Sequence, residues 1–382
     1  GLVKEAMERI AQHMRASLRT ILVPALLLTL LALGGCAVPP TDDPSAPEQP
    51  RKLALVDTTG RTVEFSAAPK RIVVACRAVL PVVNTMYLFP EAAERVVAVT
   101  SGNQKPGDFL TLVSPDFEGT TLMGPDAGPE QIAPLKPDLV VMRSFMNEKL
   151  GEPLKQLDIP VVYMDMETPE HYFQDLGNIG QIFENRTRAE EIEAFYRGRM
   201  ERIDQAVGGL NEQAKPLILI LQYSDKGGEV ALNVPPASWI QTVEAEMAGA
   251  VPAWAEAAQG GGWTVVNLEQ IAAWDADKVF VIDYKGDSAQ VVERLRADPQ
   301  WQALKAVKEE EIYGFPADVF SWDQPDPRWI LGLTWLAARV HPDRFADMEV
   351  GQEAAQFFQE MYGMNPASFQ QQIVPTFRGD LE

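Results

Sequence analysis

The sequence predicts an α/β protein of two lobes joined by one long helix, and three observations carry that reading. From Leu53 onward, short β-branched runs alternate with longer amphipathic or Ala-rich stretches, the pattern of helices layered on largely parallel sheets. One stretch stands apart: residues 187–207 set Ile192, Phe195, Tyr196, Ile203 and Val207 on a helical stripe, a rod of about 30 Å. All eight tryptophans lie beyond that rod, so the blocks on either side differ in composition. At 382 residues, 46% hydrophobic and 23% charged, the chain is long enough for two domains and is neither fibrous nor disordered.

At the N-terminus, residues 21–33 form an apolar run preceded by Arg15 and Arg19. A bilayer span needs about 20 such residues, so the run reads as a signal-peptide core. Met14 reads as the start of that leader, and residues 1–13 are set aside from fold reasoning. The run ends in Leu33-Gly34-Gly35-Cys36, which resembles the bacterial lipobox. That resemblance implies removal of residues 1–35, lipidation of Cys36 and a membrane anchor through the lipid. Residues 36–52 then read as a Pro-rich tether, extended at ~3.1 Å per residue.

In the body, strands are expected at 71–75, 95–100, 138–142, 160–164, 217–223 and 278–283. The rod is expected to begin at a capping box, Thr187 with Glu190, and to stop at Gly208-Gly209. These elements divide the chain into a first lobe at 53–176, a connecting region at 177–214 and a second lobe at 215–382. Cys76 reads as a small buried residue at a strand end. Trp329 and Trp335 fall in an apolar helix over 329–340 and, with Trp301, read as core. Trp239, Trp263 and Trp322 sit beside Pro, Gly or Asp, as cleft residues do.

Charge and composition exclude several functions. The net charge is −21, and loss of the leader takes away Lys4, Arg9, Arg15 and Arg19 against Glu5 and Glu8, leaving −23, which opposes nucleic acid as a partner. The three histidines (His13, His171, His341) and two cysteines have no zinc-type spacing, so no cofactor is expected and any metal arrives inside a ligand or on carboxylates. Gly286-Asp-Ser288 is not a Gly-x-Ser-x-Gly elbow, which weighs against a hydrolase, and Gly260-Gly-Gly262 lacks the Gly-Lys-Ser/Thr of a phosphate loop.

Two segments echo each other. Glu130-Gln-Ile-Ala-Pro-Leu-Lys-Pro-Asp-Leu-Val-Val141 precedes a strand of the first lobe, and Val266-Asn-Leu-Glu269-Gln-Ile-Ala-Ala-Trp-Asp-Ala-Asp277 precedes one of the second. With Pro69-Lys-Arg-Ile-Val-Val74, they resemble the substrate-binding proteins of bacterial ABC importers, in the branch serving ferric siderophores, haem and cobalamin, with molybdate and tungstate relatives. The resemblance implies two Rossmann-like lobes around a cleft, a single connecting helix, no enzymatic activity, and a place on the outer face of the cell membrane or in the periplasm. It also implies that Glu130 and Glu269 dock on the two subunits of a permease. A surface lipoprotein with a structural role would need neither cleft nor paired glutamates.

In open α/β sheets ligands sit beyond the carboxyl ends of strands. Those positions supply the candidate ligand-binding residues Arg77, Ser101, Asn103, Arg143, Tyr223 and Tyr284, to which the loop-like Trp239, Trp263, Trp322 and Arg328 are added. Arginines facing aromatics suit a partly apolar chelate carrying carboxylates, phosphate or catecholates. Haem would call on Tyr223 or Tyr284 as axial ligand, cobalamin on the tryptophans, and molybdate or tungstate on Arg77, Arg143 and Ser101. The residues alone do not choose among them. Arg328 also has a structural reading, as a brace between Asp323 and Asp326.

Overall fold

The structure is a computed structural model and describes residues 52–381; the leader, Cys36 and nearly all of the tether lie outside the described residues. The chain enters through a hairpin, β1 (Leu53–Val56) paired antiparallel with β2 (Thr62–Phe65). Asn178, in the helix Pro169–Ile182, donates its amide to Val56 O at 2.8 Å and moors the hairpin to the body.

The first sheet holds β3 (Ile72–Val74), β4 (Val96–Thr100), β5 (Thr121–Met123), β6 (Leu139–Met142) and β7 (Val161–Tyr163) in the order β5-β4-β3-β6-β7, every pair parallel. Its central strands are apolar on both faces because helices cover both, the usual state of a parallel sheet. The strand order reverses at β3, which opens a crevice between the ends of β3 and β6.

The second sheet is mixed. Its path runs β11 (Thr264–Val266), β9 (Glu229–Val234), β8 (Leu217–Lys226), β12 (Lys278–Ile282), β13 (Ile312–Gly314), and β10 (Val251–Pro252) pairs with β8. The expected strand at 217–223 is longer than the sequence suggests. It continues into a two-residue hairpin at Gly227 and Gly228, with φ of 69° and 92°, conformations that a residue with a Cβ rarely adopts.

Between the sheets in sequence runs the helix Arg186–Val207, burying Ala189, Ile192, Phe195, Tyr196, Ile203 and Val207. Its cap is Asn185, whose side chain accepts from Arg188 N at 3.1 Å, and not the expected Thr187, which falls in the first turn. Asn185 wins because its φ of −127° lies outside the helical region, leaving its amide oxygen free to reach back. Arg188 donates to Leu88 O (3.0 Å), Glu360 O (3.0 Å) and Met361 O (2.8 Å), so the rod is tied to the first half and to the helix Val350–Tyr362 at once. The helix Trp329–Val340 lies where the apolar run places it, with Trp329 and Trp335 fully buried. No helix among the described residues is long and apolar enough to cross a membrane.

Candidate functional site

A cavity of about 550 Å³ opens where the strand order of the first sheet reverses. Arg77 follows β3, Asn103 and Gln104 follow β4, Asp126 follows β5 and Arg143 follows β6, while Gln324 and Pro325 reach in from the second half. The residues just inside are locked. Thr100 Oγ1 accepts from Cys76 N at 2.9 Å and donates to Cys76 O at 2.6 Å, clamping the ends of β3 and β4 together. Cys76 is buried, as expected.

Both arginines already have carboxylate partners, and the two pairs differ. Arg77 Nε donates to Asp126 Oδ1 at 2.9 Å, and Lys149 Nζ lies 3.0 Å from the same oxygen. Arg77 and Asp126 are each 57% exposed. Hydrogen bonds from Arg77 and then Lys149 hold the Asp126 carboxyl below its ordinary range. Arg143 pairs with Glu167, and these side chains are only 14% and 16% exposed. Burial pushes the Glu167 carboxyl up, while Arg143 pulls it down. Glu167 Oε1 also accepts from Ile240 N at 3.4 Å, at the start of the helix Ile240–Met247, so this carboxylate joins the two halves. Arg143 Nε is buried and has no hydrogen-bond partner among the described residues.

The second half contributes aromatics. Trp239 and Trp263 meet edge to face, centroids 5.5 Å apart, and Trp263 meets Tyr284 at 6.3 Å. Behind them lies a buried polar cluster. Asp323 Oδ2 accepts from Tyr284 Oη at 2.6 Å and Gln241 Nε2 at 2.9 Å, and Asp323 Oδ1 accepts from Ser321 Oγ at 2.5 Å. Glu244 is fully buried, with neither oxygen hydrogen-bonded. Burial first, and Asp323 second, push its carboxyl well above the usual range, which favours the protonated acid.

The structure therefore brings together Arg77, Asn103 and Arg143 at the cavity, with Ser101 next to it at the end of β4, its N–H donating to Met123 O at 2.8 Å. Trp239, Trp263 and Tyr284 form one partly exposed aromatic cluster. Three expectations need correction. Trp322 is fully buried, its indole donating to Asp318 Oδ2 at 2.8 Å. Arg328 is fully buried as well, with Nε 2.8 Å from Asp318 and Nη1 3.0 Å from Asp326, its guanidinium 4.1 Å from the centroid of Phe109. The brace reading holds, with Asp318 in the place given to Asp323. Tyr223 is 9% exposed, inside β8 with Arg294 over its ring. The Asp- and Pro-rich run 320–328 looks like a loop in sequence, yet it lies in the interior, where Trp322 and Arg328 pair with Asp318, Asp323 with Gln241 and Tyr284, and Asp326 with Arg328. Asp126, Glu167 and Gln324 went unnoticed. Asp126 stands in a Gly-Pro-Asp-Ala-Gly turn after a three-residue strand too short to recognise, and Glu167 lies three residues past the expected end of β7.

Glu130 and Glu269 are both exposed, in the first turns of the helices Pro129–Ile132 and Leu268–Trp274. Six residues after each glutamate comes a left-handed residue, Lys136 (φ 49°) or Asp275 (φ 48°). Eight residues after each comes an aspartate that caps a neighbouring strand. Asp138 accepts from Lys70 N and Arg71 N at 2.8 Å, and Asp277 accepts from Leu217 N at 2.8 Å. The echo is thus one structural unit built twice.

A second cavity, of about 590 Å³, lies near Arg188 and Tyr87, away from the strand ends. No group of three or more His, Cys, Asp or Glu side chains suited to a metal ion occurs among the described residues.

Residues 70–319 match the model of a family described as periplasmic binding protein. The molybdate-binding protein MolA of Haemophilus influenzae is 24% identical over 296 residues, covering 71% of this chain and 81% of the relative. The Fe(3+)-citrate-binding protein YfmC of Bacillus subtilis is 22% identical, covering 78% and 90%. Among solved structures, a periplasmic solute binding protein from Veillonella parvula superposes with a TM-score of 0.66 at 21% identity, covering 85% of this chain and 97% of its own, which establishes the two-lobed fold.

Proposed function

The chain belongs to the periplasmic binding protein family, and from that premise we propose that it captures an anionic metal chelate outside the cell membrane and presents it to the permease of an ABC importer. The observation that carries this reading is the cavity of about 550 Å³ at the strand ends, which has two arginines on the first-half side. That volume falls within the roughly 300–1,000 Å³ of sites that hold drug-sized ligands. A tetrahedral oxyanion, displacing only a few waters of ~30 Å³ each, would leave most of it wet. The aromatic cluster of the second half suits the apolar skeleton of a chelator. Among the relatives, one is named for Fe(3+)-citrate and one for molybdate, so both chemistries belong in the test.

In this reading the ligand lies between a lobe at 53–176 and one at 215–382, Cys36 carries the lipid anchor, and Glu130 and Glu269 dock on the permease dimer. The protein changes no bond, and a metal arrives only as part of the ligand.

The test is a thermal-shift panel with ferric citrate, ferric catecholate and hydroxamate chelates, haemin, cobalamin, molybdate and tungstate. A ligand at 100 times its dissociation constant adds about 2.7 kcal/mol of stability and moves the transition by a few degrees. A shift with a chelate is expected. A shift with molybdate or tungstate alone would replace the chelate reading by the oxyanion one, and no shift with any would remove both. Replacing Glu130 and Glu269 together by Ala should leave affinity intact and abolish uptake, and normal uptake would refute the docking role.

A further inference from the structure

The two cavity arginines hold their carboxylates in opposite ways. Glu167 is buried, and it is fixed by Arg143 on one side and the backbone of Ile240 on the other. Asp126 is more than half exposed, and among the described residues its side chain accepts only from Arg77 and Lys149. The turn that carries it, 124–128, begins and ends in glycine, and a Cβ placed on Gly124 would meet nothing within 4 Å. That turn leads directly into the helix Pro129–Ile132 with its exposed Glu130.

We propose that Asp126 is a displaceable internal counter-ion: an anionic group of the ligand takes its place on Arg77, and the exchange releases the turn 124–128. The proposal rests on the reading of this cavity as the ligand site. An exposed ion pair in high dielectric is worth little, so a ligand bearing a carboxylate or phosphate can replace the aspartate at small cost. Arg143 also lines the cavity and adds a second positive charge beside the incoming group, while its pair with Glu167 stays in place. A neutral ligand has nothing to exchange, leaves Asp126 where it is and does not move the turn. Asp126 thereby sorts ligands by charge, and it links occupancy of the cavity to the segment bearing Glu130.

Asp126→Asn in the full-length protein tests this in two ways. Arg77 and Lys149 would then face the cavity without a counter-charge, so ferric citrate, followed by tryptophan fluorescence, should bind about fivefold tighter at low salt, with a steeper loss of affinity as salt rises. Unchanged or weaker binding would overturn the proposal. Amide hydrogen exchange over residues 122–132, measured without ligand, should be several-fold faster in Asp126→Asn than in the wild type, and equal rates would overturn it as well. Asp126→Glu, which restores the charge, should return both readouts toward wild type. If ferric citrate binds neither protein, ferric citrate is excluded as the ligand, the panel above decides the chelate reading, and the exchange rates alone decide whether Asp126 holds the turn.

Discussion

The two halves around the cavity differ in where they keep exposed charge. On the first-half side, one pair is left at the surface, Arg77 and Asp126 at 57% exposed each, beside the mostly buried pair of Arg143 and Glu167. On the second-half side, charge has been drawn inward. Arg328, Asp318, Asp323, Asp326 and Glu244 are all fully buried, while Trp239 and Trp263 form a partly exposed aromatic pair. A buried ion cluster must stay intact, because loss of one member strands the others without water. An exposed pair can exchange partners freely. In the proposed reading, the second half supplies a rigid surface and the first supplies charge selection.

The largest expected effect breaks the buried side. Arg328→Met leaves Asp318 and Asp326 facing each other in the interior, and by comparison with other buried pairs that lose one member it should lower stability by about 3–5 kcal/mol. Arg77→Met removes one partner of an exposed pair and should stay within about 0.5 kcal/mol of wild type. Urea unfolding of the two variants measures the contrast directly, and similar losses would abolish it.

The next effect shows that burying carboxylates is not confined to the second half. Asp175 is fully buried and accepts from Thr58 Oγ1 at 2.9 Å and from Met166 N at 3.1 Å, and burial pushes its carboxyl up to about 7. The folded protein therefore holds this proton more tightly than the unfolded chain does. Stability from the group is fully retained below the unfolded value near 4 and declines as pH rises toward 7. Between pH 5 and pH 8, Asp175→Asn should gain roughly 3 kcal/mol relative to wild type. A gap that is constant with pH would mean that Asp175 is ionised in the folded state.

Much of the fold was legible because strongly periodic segments keep their character under any tertiary context. The rod, the apolar helix Trp329–Val340 and six strands all lie within a few residues of where the pattern puts them. Of the site, Arg77, Asn103 and Arg143 were legible from topology, since residues after strand ends are delivered to the crevice. What was hidden depends on long-range pairing. Edge strands such as β5 and β11 are only three residues long and lack a period, although Gly227-Gly228 was an available hairpin signal. Trp322 and Arg328 looked exposed because Asp and Pro flank them, and only the folded chain shows Asp318 and Asp326 turned inward to serve as their partners. Asp126 and Glu167 are ordinary acids in sequence and acquire meaning once Arg77 and Arg143 stand beside them.

A third experiment separates the two sides by ligand binding. Trp263 bridges Trp239 and Tyr284, so Trp263→Ala removes the middle of the aromatic cluster and should weaken chelate binding by about tenfold, roughly 1.4 kcal/mol, with its salt dependence unchanged. Arg143→Ala should weaken binding similarly and flatten the salt dependence, because the charge that attracts the anion is gone. Identical salt slopes in both variants would mean that charge and shape are not divided between the two sides.

The smallest effect concerns which end of Tyr284 matters. Its ring stands against Trp263, and its hydroxyl donates to Asp323 Oδ2, a carboxylate already bonded to Gln241. Burial, and Asp323 beside it, hold the phenol well above its usual range, so it remains a donor and not a phenolate. An axial ligand to haem would need that oxygen free of Asp323. Tyr284→Phe keeps the ring and leaves Asp323 with one donor fewer on Oδ2, so it should lower stability by about 1 kcal/mol and leave ligand affinity within twofold. A large loss of haemin binding in this variant, with stability unchanged, would reverse the assignment and place the Tyr284 oxygen in the cleft as a metal ligand.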